Sequence, residues 1–462
     1  MGILFFERVR SEGLAAFSYI VGSGKEAIVV DARRDCQVYV DLARREGLSI
    51  KYVFETHRHE DFVVGSCELA SLTGARVFHG SGLDFKYGES LGGGEVFCFG
   101  DMSLRVICTP GHTVESLCFA LYDRSVNGSP VMVFSGDTLF AGDVGRVDLG
   151  GPKEASRLAG KLYDSVFSKL LVLGDGVILC PAHGSGSVCG RAISDREWST
   201  LGFERLYNPV LQLSREEFIR FKETEKLERP AYFRRMEETN LIGAPLMGGF
   251  LDVLALSPFE FCNQVEKGAQ IVDTRLPACF GGIHIKGSIN VWLRGLASYA
   301  GWVISYDKDL VLVLQDRDDL EIVVSYLRRF GYDNVKGFLC AGLEACGLES
   351  WYSEGLPFSN FGLLSVHELK ERLDMGDNVV VVDVRSDEEW RGGHISGALH
   401  IHFNHLVAML DSIPSNCLVV VICSVGNRAS LGASILQSCG REVFNVLGGM
   451  TAWNKSGYPV VK

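Results

Sequence analysis

The sequence predicts an α/β protein of three domains. Three observations predict it. Apolar runs of strand length alternate with helix-like stretches along the chain. In the first half, side chains of metal-binding type recur directly after such apolar runs. The second half is an internal repeat. A chain of 462 residues also has room for about three domains of ordinary size.

The first region, residues 1–245, alternates strands and helices. Ala27-Ile28-Val29-Val30-Asp31, Val131-Met132-Val133-Phe134 and Val177-Ile178-Leu179-Cys180 read as buried strands. Phe203 to Asn240 is charged and helix-like, with a break at Pro209. Ala244-Pro245-Leu246-Met247-Gly248-Gly249 reads as a linker. Beyond it, Ile271-Val272-Asp273-Thr274-Arg275 matches Val381-Val382-Asp383-Val384-Arg385. Gly282-Ile283-His284-Ile285-Lys286-Gly287 matches Gly393-His394-Ile395-Ser396-Gly397. Asp273, Arg275, His284 and Gly287 pair with Asp383, Arg385, His394 and Gly397 at one offset of 110 residues. Two α/β modules follow from this, over residues 250–355 and 362–462.

Composition narrows the function. Hydrophobic content of 47% and charge of 22% describe a soluble globular protein. A formal net charge of −12, with no basic run, argues against nucleic acid as a partner. No apolar stretch is long enough to span a membrane. The start, Met1-Gly2-Ile3-Leu4-Phe5-Phe6, resembles neither a signal peptide nor a myristoylation signal. The 14 cysteines lack framework spacing. Most, such as Cys98, Cys108, Cys118 and Cys180, lie in apolar runs and read as reduced, buried thiols of a cytoplasmic protein. Cys340 and Cys346 are expected to pack in the same way.

The metal signal is His57-Arg58-His59-Glu60-Asp61, directly after Tyr52-Val53-Phe54. Three further motifs share that placement: Thr109-Pro110-Gly111-His112-Thr113, Ser135-Gly136-Asp137-Thr138 and Pro181-Ala182-His183-Gly184. A strand that ends in a polar loop delivers side chains to the rim of a sheet, where open α/β folds bind ligands. Neutral imidazole and carboxylate together suit a divalent metal.

These residues resemble the metallo-β-lactamase fold, in its glyoxalase II and persulfide dioxygenase branch. The resemblance covers about residues 1–240 and implies an αββα sandwich. It also implies that His57, His112 and Asp137 bind the metal. Two His and one carboxylate are the facial set of non-haem Fe(II) oxygenases. The binuclear hydrolases of the family need a further imidazole where this chain has Phe62. One Fe(II) per chain is therefore expected. His59, Asp61 and His183 are expected around the metal or substrate, with His59 left open as a ligand. The loop Gly142-Asp143-Val144-Gly145-Arg146-Val147-Asp148 resembles one found after the ligand Asp in the dioxygenase branch. Arg146 and Asp148 then support the site or form an ordinary loop ion pair. Cys189, in a Gly/Ser-rich loop, is either an incidental thiol or lies near the metal with Arg191 favouring its thiolate.

The last module carries a second chemistry. Val419-Val420-Val421-Ile422 runs into Cys423-Ser424-Val425-Gly426-Asn427-Arg428-Ala429, and a helix is expected next. Loop N–H groups and a helix N-terminus stabilise a thiolate or persulfide anion, and Arg428 adds charge or holds the loop. This CxxGxR loop, Asp383-Val384-Arg385 and Gly448-Gly449-Met450-Thr451-Ala452-Trp453 resemble rhodanese, a sulfurtransferase domain. In residues 250–355, Gln315 stands at the expected place of the nucleophile, followed by Asp316, Asp318 and Asp319, so that module is read as rhodanese-like without catalysis.

The two resemblances imply a fusion that oxidises a low-molecular-weight thiol persulfide with O2 to thiol and sulfite. Sulfur exchange among persulfide, sulfite and thiosulfate is then expected at Cys423. A glyoxalase II-like zinc thioester hydrolase fused to a sulfurtransferase is the alternative, and a homo-oligomer is the expected assembly.

Overall fold

The computed structural model describes residues 4–126, 128–225, 227–247, 253–340 and 348–462. Gly248 and Gly249 of the expected linker, and Cys346, lie outside them. The chain forms two compact units: Met1–Leu251 with Arg328–Gly331, and Asp252–Leu327 with Tyr332–Lys462.

In the first unit, six strands form one sheet in chain order: β1 Phe5–Ser11, β2 Ala16–Ser23, β3 Glu26–Val30, β4 Ser49–Phe54, β5 Arg76–Gly80 and β6 Glu89–Leu91. A second sheet holds β7 Val96–Phe99, β8 Met102–Cys108, β9 Leu117–Asp123, β10 Met132–Gly136, β11 Ile178–Pro181 and β12 Ser199–Thr200, again in chain order. Tyr19, Phe54 and Phe78 of the first sheet pack against Leu104, Phe119 and Phe134 of the second. Burying each such ring contributes roughly 1.5–3 kcal/mol. The outer face of the first sheet is covered by helices Gln37–Arg45 and Ser66–Thr73. The outer face of the second is covered by helices Pro152–Ser165 and Arg215–Thr224. The result is the expected αββα sandwich. The helix-like stretch from Phe203 breaks twice, giving helices Leu201–Tyr207, Arg215–Thr224 and Phe233–Ile242. Pro209 makes the first break, and a non-helical segment containing Pro230 makes the second.

The second unit contains two five-stranded parallel sheets. The first has β13 Ala255–Leu256, β14 Gln270–Asp273, β15 Ile289–Asn290, β16 Leu310–Val313 and β17 Val335–Leu339, in the order β13-β17-β16-β14-β15. The second has β18 Gly362–Leu364, β19 Val379–Asp383, β20 Leu399–His400, β21 Leu418–Ile422 and β22 Val443–Val446, in the equivalent order β18-β22-β21-β19-β20. The repeated residues do the same work twice. Arg275 binds Asp273 with both Nε (3.0 Å to Oδ1) and Nη2 (2.6 Å to Oδ2), then donates to the Ile283 carbonyl. Arg385 treats Asp383 identically, at 2.9 and 2.7 Å, and donates to the Gly393 carbonyl. His284 stacks on Phe280 and His394 on Trp390, with ring centroids 4.0 and 3.5 Å apart.

Three expectations are corrected. Cys98 is exposed and Cys108 half-buried, whereas Cys118 and Cys180 are buried. Cys98 lies on the edge strand β7, whose alternation turns Phe99 inward and Cys98 out. Cys340 is buried as expected but disulfide-bonded rather than a free thiol. Strand register also moves the nucleophile's counterpart. Asp273 pairs with Val313 as Asp383 pairs with Ile422, so Leu314, not Gln315, takes the place of Cys423.

Because Asp383 is fully buried, Arg385→Ala leaves an unanswered charge. The variant is expected to lose about 3–5 kcal/mol, read as a lower urea midpoint with an unchanged slope.

Candidate metal centre and sulfur-transfer loop

The loop after β4 is held from below by Asp31, at the end of β3. Its carboxylate accepts from Thr56 N (2.7 Å) and Thr56 Oγ1 (2.8 Å), and lies 3.0 Å from His59 Nε2. Asp31 itself has φ 54°, an uncommon backbone state for a non-glycine residue. Asn240, on helix Phe233–Ile242, closes the other side by donating to the His59 and Phe62 carbonyls at 2.7 and 2.8 Å.

Three side chains then converge. A nitrogen of His57, one of His112 and an oxygen of Asp137 lie within 4.8 Å of one another. Asp137 Oδ2 is 3.5 Å from His112 Nε2 and 3.9 Å from His57 Nε2. All three side chains are buried, and those three atoms have no hydrogen-bond partner. Each ligand is fixed from behind. Thr56 Oγ1 spends its proton on Asp31, so at 3.0 Å it accepts from His57 Nδ1 and leaves the Nε2 lone pair free. His112 Nδ1 donates to the Arg146 carbonyl at 2.9 Å, with the same consequence. Asp137 gives Oδ1 to His183 Nδ1 at 2.8 Å and keeps Oδ2 for the cluster. Such partners set tautomer and orientation in metal sites. Gly145 is required here, because a Cβ would meet the Asp137 carbonyl oxygen at 2.1 Å. Donors bound to one ion at about 2.0–2.2 Å lie roughly 3–3.5 Å apart, so small adjustments let this set hold a divalent metal.

His59 lies outside that group, 3.0 Å from Asp31 and packed against the Phe62 ring at 4.6 Å. His183 bridges two carboxylates, Asp137 through Nδ1 and Asp61 through Nε2, each at 2.8 Å. Both of its nitrogens are thereby committed. Burial acts to keep His183 neutral, but Asp137 and Asp61 outweigh it and raise its pKa well above the imidazole value. His57 goes the other way: burial and the neighbouring His59 hold it neutral.

Arg146 clamps Asp148 through Nε and Nη2, both at 2.7 Å, and donates to the Val188 carbonyl at 3.0 Å. It thereby ties the Cys189 loop to the metal loop. Cys189 is buried, 3.5 Å from Glu60 Oε1, and its sulfur groups with donors of Asp61 and His183. The expected help from Arg191 is absent. Arg191 is exposed, its backbone N–H donating to Asp143. Burial, followed by Asp61 and Glu60, pushes the Cys189 thiol up rather than down.

In the second unit, Cys423 closes β21 and is buried. Its sulfur accepts from Gly426 N at 3.1 Å. Gly426 caps helix Asn427–Ser438 with φ 103°, a state that favours glycine. Arg428 is spent on the loop: Nη1 and Nη2 each meet Glu389 at 2.7 Å, and Nη2 also meets Ser424 Oγ at 2.7 Å. Val425 is exposed at the loop tip and Ala429 is buried in the helix. In the first repeat, Asp316 occupies the cap and accepts from Asp318 N at 3.0 Å. A carboxylate thus fills the place where the Cys423 loop offers an amide to sulfur.

Known proteins match in two places. The metallo-beta-lactamase superfamily model matches residues 12–183, and the rhodanese-like domain model matches residues 365–456. The mitochondrial persulfide dioxygenase ETHE1 of Mus musculus is 32% identical over 226 residues, covering 46% of this chain and 78% of the relative. The chain belongs to the persulfide dioxygenase family. The human ETHE1 is likewise 32% identical, over 222 residues. A crystal structure of a metallo-beta-lactamase from Staphylococcus aureus has 29% identity and TM-score 0.64. It covers 73% of this chain and 98% of its own, so the likeness extends past the dioxygenase sandwich. This chain carries a rhodanese-like domain in its C-terminal part.

Sequence reasoning does not single out Asp31, Asn240 or Glu389, nor Glu60 within its motif. Asp31 ends a strand just as Asp137 follows one, and Ser386-x-x-Glu389 is a helix-capping pattern, so both left a trace. Asn240 left none.

Burial opposes ionisation of Glu389, but Arg428 and Ser424 hold its carboxyl well below the usual range. Its stabilisation is therefore complete above the ordinary value near 4.3 and is lost as pH falls through the lower folded value. Glu389→Gln is expected to melt earlier than wild type at neutral pH, with the gap in Tm closing on acidification below about pH 4.

Proposed function

We propose that this protein is a non-haem iron persulfide dioxygenase joined to a rhodanese-type sulfurtransferase. The observation that carries the first part is the triad of buried, unpartnered donors on His57, His112 and Asp137. Family membership supports it, as do the lone pairs that Thr56 and the Arg146 carbonyl free on the two imidazoles. Iron(II) held by this triad would supply the O2 chemistry. The net reaction is RSSH + O2 + H2O → RSH + sulfite + 2 H+. Asp137 divides its oxygens between His183 and the metal position, and His183 is locked by Asp61. With both His183 nitrogens engaged and Phe62 in place of an imidazole, a second ion would have to displace His183 from its carboxylates. That favours one iron over a two-zinc thioester hydrolase.

Cys423 carries the second part. As Cys–S–S−, it hands its outer sulfur to sulfite, the S–S bond breaking to give thiosulfate and the Cys423 thiolate. Gly426 N–H lies against Cys423 Sγ, the atom that holds the charge in the thiolate left after transfer. Arg428 acts as a positioning residue, keeping the loop folded over Glu389. Fusion raises the local concentration of the sulfite passed on. Apart from the disulfide-bonded Cys340, the described cysteines are free thiols, which suits a reducing, cytoplasmic setting.

Protein loaded anaerobically with iron is expected to hold about one iron per chain and to take up O2 with a thiol persulfide. His112→Ala should lose both properties, measured by metal analysis and an oxygen electrode. Two tightly held zinc ions with thioesterase activity would sink the proposal.

Cys423→Ser should keep O2 uptake and abolish sulfur exchange, because a hydroxyl cannot form the persulfide. With persulfide and O2, the variant should accumulate sulfite where wild type yields more thiosulfate. The full-length variant should also form no thiocyanate from thiosulfate and cyanide, since Leu314 occupies the equivalent position in the first repeat. Residual thiocyanate formation would assign activity to that repeat.

A further inference from the structure

We propose that Glu60 is a fourth protein ligand of the metal centre, beside His57, His112 and Asp137. The inference rests on the reading that this triad holds a metal. Glu60 lies between His59 and Asp61 in the loop and is 1% exposed. Its Oε1 is 3.2 Å from His112 Nε2, and its Oε2 is 3.8 Å from His57 Nε2. It therefore faces the same two nitrogens that Asp137 Oδ2 faces. Its Oε2 has no hydrogen-bond partner.

The decisive constraint is how His112 can use its ring. Nδ1 donates to the Arg146 carbonyl, so only Nε2 remains. That atom can offer an N–H to Glu60 or a lone pair to a metal, but not both. A metal on Nε2 leaves the buried carboxylate with the Cys189 thiol, 3.5 Å away at Oε1, as its one hydrogen-bond donor among the described residues. An unpaired buried carboxylate costs several kcal/mol. Turning an oxygen onto the ion removes that cost. It also matches charge, since Glu60 and Asp137 together neutralise a divalent cation. The donor set becomes two imidazoles and two carboxylates.

The test uses Co(II) alone as a spectroscopic probe in the anaerobic, metal-free full chain. Wild type, Glu60→Gln and Glu60→Ala are compared by visible d–d absorption and by competition with a chromophoric chelator. Circular dichroism of the metal-free proteins checks folding, and the near-isosteric Gln variant decides if Ala perturbs the loop. Both variants are expected to change the position and intensity of the Co(II) bands. Glu60→Ala is expected to weaken retention by more than the roughly 10- to 100-fold that loss of an outer hydrogen-bond partner brings. A wild-type spectrum in folded Glu60→Gln and Glu60→Ala overturns the inference, even if affinity falls, and makes Glu60 a positioning residue. If His112→Ala loses Co(II) in that case, the metal-site reading stands without Glu60. Failure of wild type to bind Co(II) or Fe(II) overturns both.

Discussion

Eight buried ionisable side chains cluster together: Asp31, Glu60, Asp61 and Asp137 with His57, His59, His112 and His183, each at most 2% exposed. Four carboxylates cannot be buried together unless each charge is answered, because an isolated one costs far more than a domain can spare. The cluster answers them in pairs. Asp31 takes Thr56 and faces His59, Asp61 takes His183, and Asp137 splits between His183 and the open face of the cluster. That pairing sets the tautomers of the imidazoles and the geometry of the strand-end loops. The six-stranded sheets serve mainly to bring those loop ends to one rim.

The second unit depends on the same kind of constraint, used twice. A buried Arg–Asp pair at the end of the second strand of each repeat ties it to the following turn. Removing either partner strands a charge, so the framework tolerates little change. The loops above that framework are freer and have diverged. One presents Gly426 N–H to a sulfur, while the other satisfies its amides with Asp316 and Asp319. The first repeat packs on the second: Ser430 Oγ donates to Asn290 Oδ1, and His284 Nε2 meets Gln437 Oε1, each at 2.7 Å.

The chemistry of each cysteine follows from its surroundings more than from its neighbours in sequence. Cys423 lies beside an amide at the start of a helix. Cys189 is pressed among carboxylates, and its thiol is held protonated. In the sequence Cys423 follows an apolar run and Cys189 a Gly/Ser-rich loop, and each precedes an arginine, Arg428 and Arg191. Those arginines end differently, one clamped to Glu389 and the other in solvent.

The sequence by itself determined the α/β class, the strand-end placement of His57, His112, Asp137 and His183, the repeat, and the loop and helix start at Cys423. These are local patterns: a buried strand must be apolar, and a loop that binds a metal or an anion must carry particular side chains at a short spacing. Only the tertiary structure decided that Asp31 and Asn240 hold the metal loop, that His183 is engaged on both sides, that Glu60 faces the triad, and that Leu314 stands where Cys423 would. Those facts depend on pairings between distant segments, such as Asn240 with His59 or Asp273 with Val313. Strand register and the packing of whole layers set such pairings, and a one-residue shift in a loop leaves no mark in any local pattern.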